Sequence, residues 1–129
     1  MTGISFKKLR VLIIDDDELF RHTLRTTMEK AGCWVMEARN GYEGVATFKQ
    51  ETPDLVITDI LMPYKEGLET IKEILEINSG AKIIAMSSGG ATHNMYFLQW
   101  AERMGACGTL CKPIRPSDLM AKMTSVFAA

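Results

Sequence analysis

Residues 54–63 read Asp54-Leu55-Val56-Ile57-Thr58-Asp59-Ile60-Leu61-Met62-Pro63. Turn-forming residues bound the apolar run in this segment: Pro53 precedes it, and Pro63 and Gly67 follow it. A short β-branched apolar run bounded in this way is typical of a strand buried on both faces. Asp59 stands where this strand is predicted to end, and open α/β sheets carry their chemistry at the carboxyl ends of their strands. We therefore expect the functional site to lie around Asp59.

Segments that predict strands alternate with segments of helical periodicity along the whole chain. The predicted strands comprise residues 11–14, 34–36, 54–59, 82–86 and 108–111, and a predicted helix follows each one. Because parallel strands need helical crossovers, this alternation predicts an α/β fold with a doubly wound, five-stranded parallel sheet and helices on both faces. Residues 1–9 show no periodicity and are expected to form an N-terminal arm of a single domain that spans residues 1–129.

Composition excludes several classes of protein. The 129 residues are 47% hydrophobic and 24% charged, which is typical of a folded domain and not of a disordered chain. A net charge of -1 gives no general attraction to nucleic acid or to an anionic membrane, so neither is expected as a direct partner. The aliphatic runs are too short to span a bilayer, and the N-terminus lacks the apolar core of a secretory signal. Three cysteines without a CxxC pair disfavour a disulfide framework or a zinc site and fit a cytoplasmic protein.

Reactive side chains stand at the ends of four predicted strands. Asp15 and Asp16 follow the first strand, Asp59 the third, Ser87 the fourth and Lys112 the fifth. The first and third strands are neighbours in a doubly wound sheet, so three carboxylates would crowd one crevice and would require a cation. Mg²⁺ is the natural cation, because it prefers oxygen ligands. A metal ion, an ammonium and a hydroxyl around one carboxylate fit the stabilisation of a phosphoryl group in transfer.

In these motifs the chain resembles the receiver domain of two-component response regulators. The resemblance extends from residue 11 to about residue 127 and rests on residues 13–17, 54–63, 84–87, 105–106 and 110–113. No segment is specific alone, but together they occur in the family's order at the predicted strand ends. The resemblance implies a flavodoxin-like sheet with the strand order 2-1-3-4-5.

The resemblance also implies a role for each matching residue. Asp59 matches the phosphoacceptor, Lys112 the lysine that pairs with the phosphoryl group, and Ser87 the hydroxyl that bonds to it. The matching Mg²⁺ ligands are Asp16 and Asp59 directly, Asp15 through a water, and the backbone carbonyl of Leu61. Pro113 matches a proline that a cis peptide bond precedes, whereas Asp17 is expected only to begin a helix.

The same resemblance implies a signalling role. The expected phosphodonor is a sensor histidine kinase or a histidine phosphotransfer protein, and the expected output is a conformational change read by a downstream protein or by an output domain missing from this sequence. The domain would catalyse its own Mg²⁺-dependent phosphorylation without turning over a metabolite, so we do not expect an enzyme in the usual sense.

Two alternative functions and one departure from the family stay open at this point. A Mg²⁺-dependent phosphatase with an aspartyl-phosphate intermediate would want a second acid soon after the nucleophile, whereas Ile60 and Leu61 follow Asp59. A receiver-like binding module that is never phosphorylated is the other alternative. It stays open because Thr109 replaces the aromatic residue that family members often have three positions before the lysine.

The predicted fourth helix carries three aromatic residues, Tyr96, Phe97 and Trp100. Leu98 and Ala101 are predicted to form its core face. The aromatic residues therefore either complete the core or mark a surface for a partner, since exposed aromatic side chains are enriched at interfaces.

Overall fold

The computed structural model describes residues 5–60, 67–88 and 92–128; in the last range the side chains of 92–95 and 97 are not described. Five strands alternate with five helices in this part of the chain. In chain order they are β1 (Arg10–Ile14), α1 (Glu18–Lys30), β2 (Trp34–Ala38), α2 (Gly41–Glu51), β3 (Leu55–Asp59), α3 (Gly67–Ile77), β4 (Ile83–Ser88), α4 (Thr92–Met104), β5 (Gly108–Lys112) and α5 (Pro116–Ala128).

All neighbouring strands of the sheet are parallel, and their order is β2-β1-β3-β4-β5. The predicted doubly wound fold and its strand order are therefore confirmed. The register pairs Ile14, the last residue of β1, with Thr58 of β3, and it pairs Asp59, the last residue of β3, with Met86 of β4. Residues that directly follow these strands consequently meet at one edge of the sheet.

Alternation along the buried strands divides the core between the two faces of the sheet. In β1, Leu12 and Ile14 pack with residues of α2, α3 and α4, whereas Val11 and Ile13 pack with residues of α1 and α5. All four side chains are fully buried. Three helices therefore cover one face and two cover the other.

Local residues explain how the helices begin and end. The Asp17 side chain accepts a hydrogen bond from the Phe20 amide at 3.1 Å and so caps α1, as predicted for a helix-start residue. Asn40 caps α2 in the same way by accepting from the Glu43 amide at 2.9 Å. Gly32 follows α1 with a φ of 91°, a left-handed conformation that suits glycine.

The segment predicted to be an N-terminal arm contributes to the core. The side chain of Phe6 is only 8% exposed, and its ring centroid lies 6.3 Å from that of Phe127 on α5. The Lys8 amide donates to the Gly32 carbonyl at 2.8 Å, which ties this segment to the end of α1. The lack of periodicity over residues 5–9 therefore does not mean that these residues lie apart from the domain.

Strand ends also differ from their predicted positions. β2 extends to Ala38 and not only to Met36, and β4 runs from Ile83 to Ser88 instead of from 82 to 86. Polar Glu37 follows Met36 in β2, and polar Ser87 and Ser88 follow Met86 in β4, so a polar residue interrupts the apolar pattern before the backbone pairing ends. None of the described helices combines the length and apolarity that crossing a membrane requires.

Candidate functional site

Three carboxylates meet at the carboxyl edge of the sheet. Asp15 and Asp16 follow β1, and Asp59 is the last residue of β3. One carboxylate oxygen from each lies within 4.8 Å of the others. Asp15 is fully buried and Asp59 is 4% exposed, whereas Asp16 is open to solvent. The sequence-based prediction that these three acids share one pocket is therefore confirmed.

The donor set of this pocket fits a hard divalent cation. Oxygens bound to one Mg²⁺ lie within about 4 Å of one another, because the ion is octahedral with short metal–oxygen distances. Carboxylate oxygens that already lie within 4.8 Å of each other need only small side-chain movements, or one bridging water, to bind a common ion. No other group of three or more His, Cys, Asp or Glu side chains in the described residues reaches this arrangement.

Lys112 supplies the positive charge that the sequence predicted. Its Nζ donates to Asp15 Oδ2 at 2.7 Å and to Asp59 Oδ2 at 3.4 Å, and the side chain is only 16% exposed. Burial pushes the pKa of Lys112 down, but the hydrogen bond to Asp15 and the charges of Asp59 and Asp15 outweigh burial and leave the pKa above its usual value. The side chain is therefore a charged ammonium at neutral pH.

Hydrogen bonds hold both the carboxylate and the backbone groups of Asp15 in place. Its Oδ1 accepts from the Asp17 amide at 2.9 Å, its backbone amide donates to the Ala38 carbonyl at 3.1 Å, and its carbonyl accepts from Arg21 Nη1 at 2.8 Å. These contacts complement the ion pair with Lys112. The orientation of this carboxylate is set before any ligand binds.

Arg21 is a supporting residue that the sequence did not reveal. It is 7% exposed on α1, and its Nε donates to Glu37 Oε1 on β2 at 2.7 Å. Arg25 Nη1 donates to the other oxygen of Glu37 at 2.6 Å. A charged residue is buried only with its partners in place, and these partners come from separate elements, so no local pattern could have identified Arg21.

Backbone contacts fix the position of Asp59. The Ile60 amide donates to the Met86 carbonyl at 3.0 Å, and the Gly67 amide donates to the Ile60 carbonyl at 3.1 Å. A Cβ built on Gly67 would collide with the Asp59 carbonyl oxygen and with Ile60 Cα. Because α3 begins directly against the end of β3, only glycine allows this approach.

Ser87 lies at the end of the predicted strand, but its hydroxyl donates to a neighbouring backbone carbonyl. Its side chain is fully buried at the end of β4, and its Oγ donates to the Ser88 carbonyl at 3.4 Å. The register pairs Ser87 with Cys111 and the exposed Ser88 with Lys112. The predicted bond between the Ser87 hydroxyl and a phosphoryl group stays a prediction.

Two of three further sequence-based assignments can be placed in the described residues. The Lys112–Pro113 peptide bond is cis, as expected. Thr109 lies half-buried within β5 and pairs with Ala85. Leu61, the predicted carbonyl ligand, lies outside the described residues.

The aromatic residues of α4 are not core residues where their side chains are described. Tyr96 is 62% exposed and Trp100 is 58% exposed, whereas Leu98 and Ala101 are buried as predicted. The side chain of Phe97 lies outside the described residues. For Tyr96 and Trp100 the interpretation as core packing is therefore wrong.

Comparison with known proteins defines the class to which this fold and site correspond. The family of response regulator receiver domains matches residues 11–124, and the chain belongs to this family. It is 38% identical over 120 residues to the chemotaxis protein CheY of Halobacterium salinarum, which covers 93% of this chain and 98% of that protein. It is 39% identical over 118 residues to CheY of Thermotoga maritima, covering 91% of this chain and 96% of that protein.

Solved structures agree with the sequence comparison. The structure of a CheX–CheY–BeF₃–Mg²⁺ complex from Borrelia burgdorferi superposes with a TM-score of 0.86 at 26% identity, over 97% of this chain and 96% of that chain. The chain is thus a receiver domain of the CheY-like response regulators and part of two-component signalling. Proteins of this class are signalling proteins rather than metabolic enzymes; they bind Mg²⁺ at an acidic pocket and interact with histidine kinases and downstream effectors.

Proposed function

We propose that Asp59 accepts a phosphoryl group from a phosphohistidine on a sensor histidine kinase or a histidine phosphotransfer protein, in a Mg²⁺-dependent reaction. The observation that carries this proposal is the ion pair of Lys112 with both Asp15 and Asp59, at 2.7 and 3.4 Å, directly beside the acid cluster. A carboxylate nucleophile that already lies next to a buried cation is prepared for the negative charge of an incoming phosphoryl group.

The acid cluster would hold the metal ion. Asp16 and Asp59 would bind it directly, Asp15 through a water, and the Leu61 carbonyl would complete the protein ligands. A bound Mg²⁺ supplies positive charge against the phosphoryl oxygens and relieves the repulsion among the three carboxylates. The exposure of Asp16 beside the buried Asp15 and Asp59 leaves one side of the cluster open to solvent and to a phosphodonor.

Three side chains, those of Asp59, Lys112 and Ser87, would act in the transfer of the phosphoryl group. A carboxylate oxygen of Asp59 forms a bond to phosphorus while the bond from phosphorus to the imidazole nitrogen breaks, and the bonding electron pair leaves with the imidazole. Lys112 pairs with the phosphoryl oxygens in place of one of its present carboxylate contacts. The Ser87 hydroxyl, at the end of the neighbouring strand, donates a further hydrogen bond. The product is an acyl phosphate on Asp59, and no metabolite is turned over.

Phosphorylation would then change the surface that a partner binds. New bonds to Ser87 and Lys112 would bias a two-state equilibrium of β4, β5 and their following segments. Thr109 stands where family members often carry an aromatic residue, so this chain would transmit the change without an aromatic side chain at that position. We infer one receiver domain over residues 1–129 that acts in the cytoplasm and signals to a downstream protein or to an output domain.

Uptake of label from a small acyl phosphate tests this function. Purified protein is incubated with ³²P-labelled acetyl phosphate, with and without Mg²⁺, and base-labile label is counted. The variant Asp59→Asn removes the nucleophile. Asp54→Asn is the matched control, because Asp54 is an exposed carboxylate at the opposite end of β3 whose Oδ2 accepts from the Arg10 amide at 2.9 Å.

Base-labile label on the native protein and on Asp54→Asn, but not on Asp59→Asn, supports the proposal. Steady release of phosphate from ordinary phosphate monoesters would point instead to the phosphatase interpretation. Label that is absent under conditions where Mg²⁺ binds would favour a receiver-like module that is not phosphorylated.

A further inference from the structure

The ring of Phe20 lies against the ammonium of Lys112. Lys112 Nζ is 4.2 Å from the centroid of the Phe20 ring, well inside the distance at which an aromatic face attracts a cation. Phe20 comes from the first turn of α1, whereas Lys112 is the last residue of β5. In the sequence, Phe20, Leu24 and Met28 recur at helical spacing, and this periodicity gives no reason to connect Phe20 with Lys112.

The Phe20 ring and two carboxylates are the neighbours of the Lys112 ammonium. An ammonium has three N–H donors, and Lys112 donates to two acceptors, Asp15 Oδ2 at 2.7 Å and Asp59 Oδ2 at 3.4 Å, while the Phe20 ring lies beside the ammonium. The long lysine stem is intrinsically mobile, so holding its head in one place costs rotamer entropy. The Phe20 ring reduces the number of rotamers open to Lys112, because it occupies a side on which the ammonium could otherwise turn towards solvent.

We propose that Phe20 is a positioning residue for Lys112. The Phe20 ring holds the lysine ammonium over the acid cluster, in the orientation in which the ammonium pairs with the phosphoryl oxygens. This inference rests on the proposed phosphorylation of Asp59 and adds a residue outside the motif positions used to predict the site. In this proposal Phe20 acts through its contact with the lysine and has no role as a ligand of the metal ion or of the phosphoryl group.

A purely structural role for Phe20 is the interpretation to be distinguished. The side chain is half-buried and packs against the core formed with α1 and α5. It also borders a small cavity of about 60 Å³ between α1 and the start of α5, together with Ile114. An aliphatic residue of similar size would satisfy packing there equally well, but it would offer the ammonium no aromatic face.

The test compares Phe20→Leu and Phe20→Met, which keep apolar volume, with Phe20→Tyr, which keeps the ring. The first measurement is the NMR shift of the Lys112 ε-methylene protons, which a ring beside them displaces upfield. The second is the initial rate of Asp59 labelling by acetyl phosphate at saturating Mg²⁺. Ile114→Ala is the control for the cavity, because it removes apolar volume from the lining of the same cavity and keeps the Phe20 ring.

We expect Phe20→Leu and Phe20→Met to lose the upfield shift and to label about three to ten times more slowly, while Phe20→Tyr and Ile114→Ala stay within about twofold of the native rate. Melting curves identify any variant that fails to fold, and Met then stands in for Leu. The proposal is overturned if the aliphatic variants label at the native rate, if Tyr fails to rescue, if Ile114→Ala slows labelling equally, or if the native Lys112 protons show no ring-current shift. Native protein that takes no label contradicts the proposed function, whereas the NMR comparison tests the contact independently.

Discussion

Lys112 and Asp15 lie 97 positions apart in the sequence and form a hydrogen-bonded ion pair of 2.7 Å in the fold. The pair joins β5, an edge strand of the sheet, to the segment that follows β1, a strand in the interior of the sheet. Strands β3 and β4 lie between β1 and β5, so the Lys112 side chain extends across the ends of these strands. It thereby also contacts the carboxylate of Asp59 at the end of β3. A cation held at this point contacts Asp59, the proposed nucleophile, together with Asp15.

Replacing Lys112 should separate two roles of its charge. In Lys112→Gln the acid cluster loses a cation that competes with Mg²⁺, so we expect Mg²⁺ to bind at least about threefold more tightly. Labelling of Asp59 by acetyl phosphate should nevertheless fall by about tenfold or more, because the phosphoryl oxygens lose a charged partner. Calorimetric Mg²⁺ titration and labelling rates measure the two effects.

Lys122→Gln is the control for this change. It removes the same charge from α5 beside Gly108, at the opposite end of β5, and should alter neither quantity by more than about twofold. A Lys112→Gln variant that bound Mg²⁺ more weakly than the native protein would show that the lysine organises the metal site instead of competing with the ion.

Removing one carboxylate at a time tests which acids hold the metal. We expect Asp16→Asn to weaken Mg²⁺ binding by at least about tenfold, since even the loss of an outer-sphere partner of a metal commonly costs that much. Asp17→Asn is a matched control, because it removes one negative charge from the next residue while asparagine still caps α1. Equal weakening in the two variants would mean that general negative charge, and not ligation by Asp16, attracts the ion.

The contact between α3 and the end of β3 predicts a specific effect at Gly67. A methyl group there would press on the Asp59 carbonyl oxygen and Ile60 Cα, and backbone atoms cannot move aside cheaply. We expect Gly67→Ala to lower the free energy of unfolding by about 1–3 kcal/mol and to slow labelling of Asp59, because the strand end must shift. Chemical denaturation and the labelling rate measure both.

Gly80→Ala makes the same substitution where a methyl group has room, since the nearest atom, Asn78 Oδ1, would lie 3.4 Å away. This variant should keep native stability within about 0.5 kcal/mol. If Gly67→Ala were equally benign, the close approach of α3 would not be a constraint on the position of Asp59.

The fold and the acid cluster could be predicted because the signals for them are local. The apolar runs of β1 and β3 identify buried parallel strands, and the doubly wound topology then brings Asp15 and Asp59 to one edge. What the sequence did not show depends on contacts between distant elements. Phe6 packs against Phe127 of α5, and the buried Arg21 donates hydrogen bonds to Glu37 of β2 and to the Asp15 carbonyl after β1. The predicted end of β2 was wrong for a related reason, since polar Glu37 interrupts the apolar pattern inside the strand.

Acid should weaken the domain through Glu37. Burial raises the pKa of this carboxyl, but hydrogen bonds from Arg25 and Arg21 and their charges outweigh burial, so the pKa lies below its usual value. A carboxyl with a lowered pKa stabilises the fold fully above its unfolded pKa, about 4.3, and this contribution is lost as the pH falls through the folded value.

We therefore expect Glu37→Gln to lower the free energy of unfolding by about 1–3 kcal/mol at pH 7 and to flatten its decline from about pH 5 downwards. Urea denaturation at a series of pH values measures this difference. Glu76→Gln removes an exposed carboxylate from α3 and should leave the pH profile close to that of the native protein. A Glu37→Gln profile parallel to the native one throughout the acid range would show that the two arginines stabilise the fold without any linkage to the protonation of Glu37.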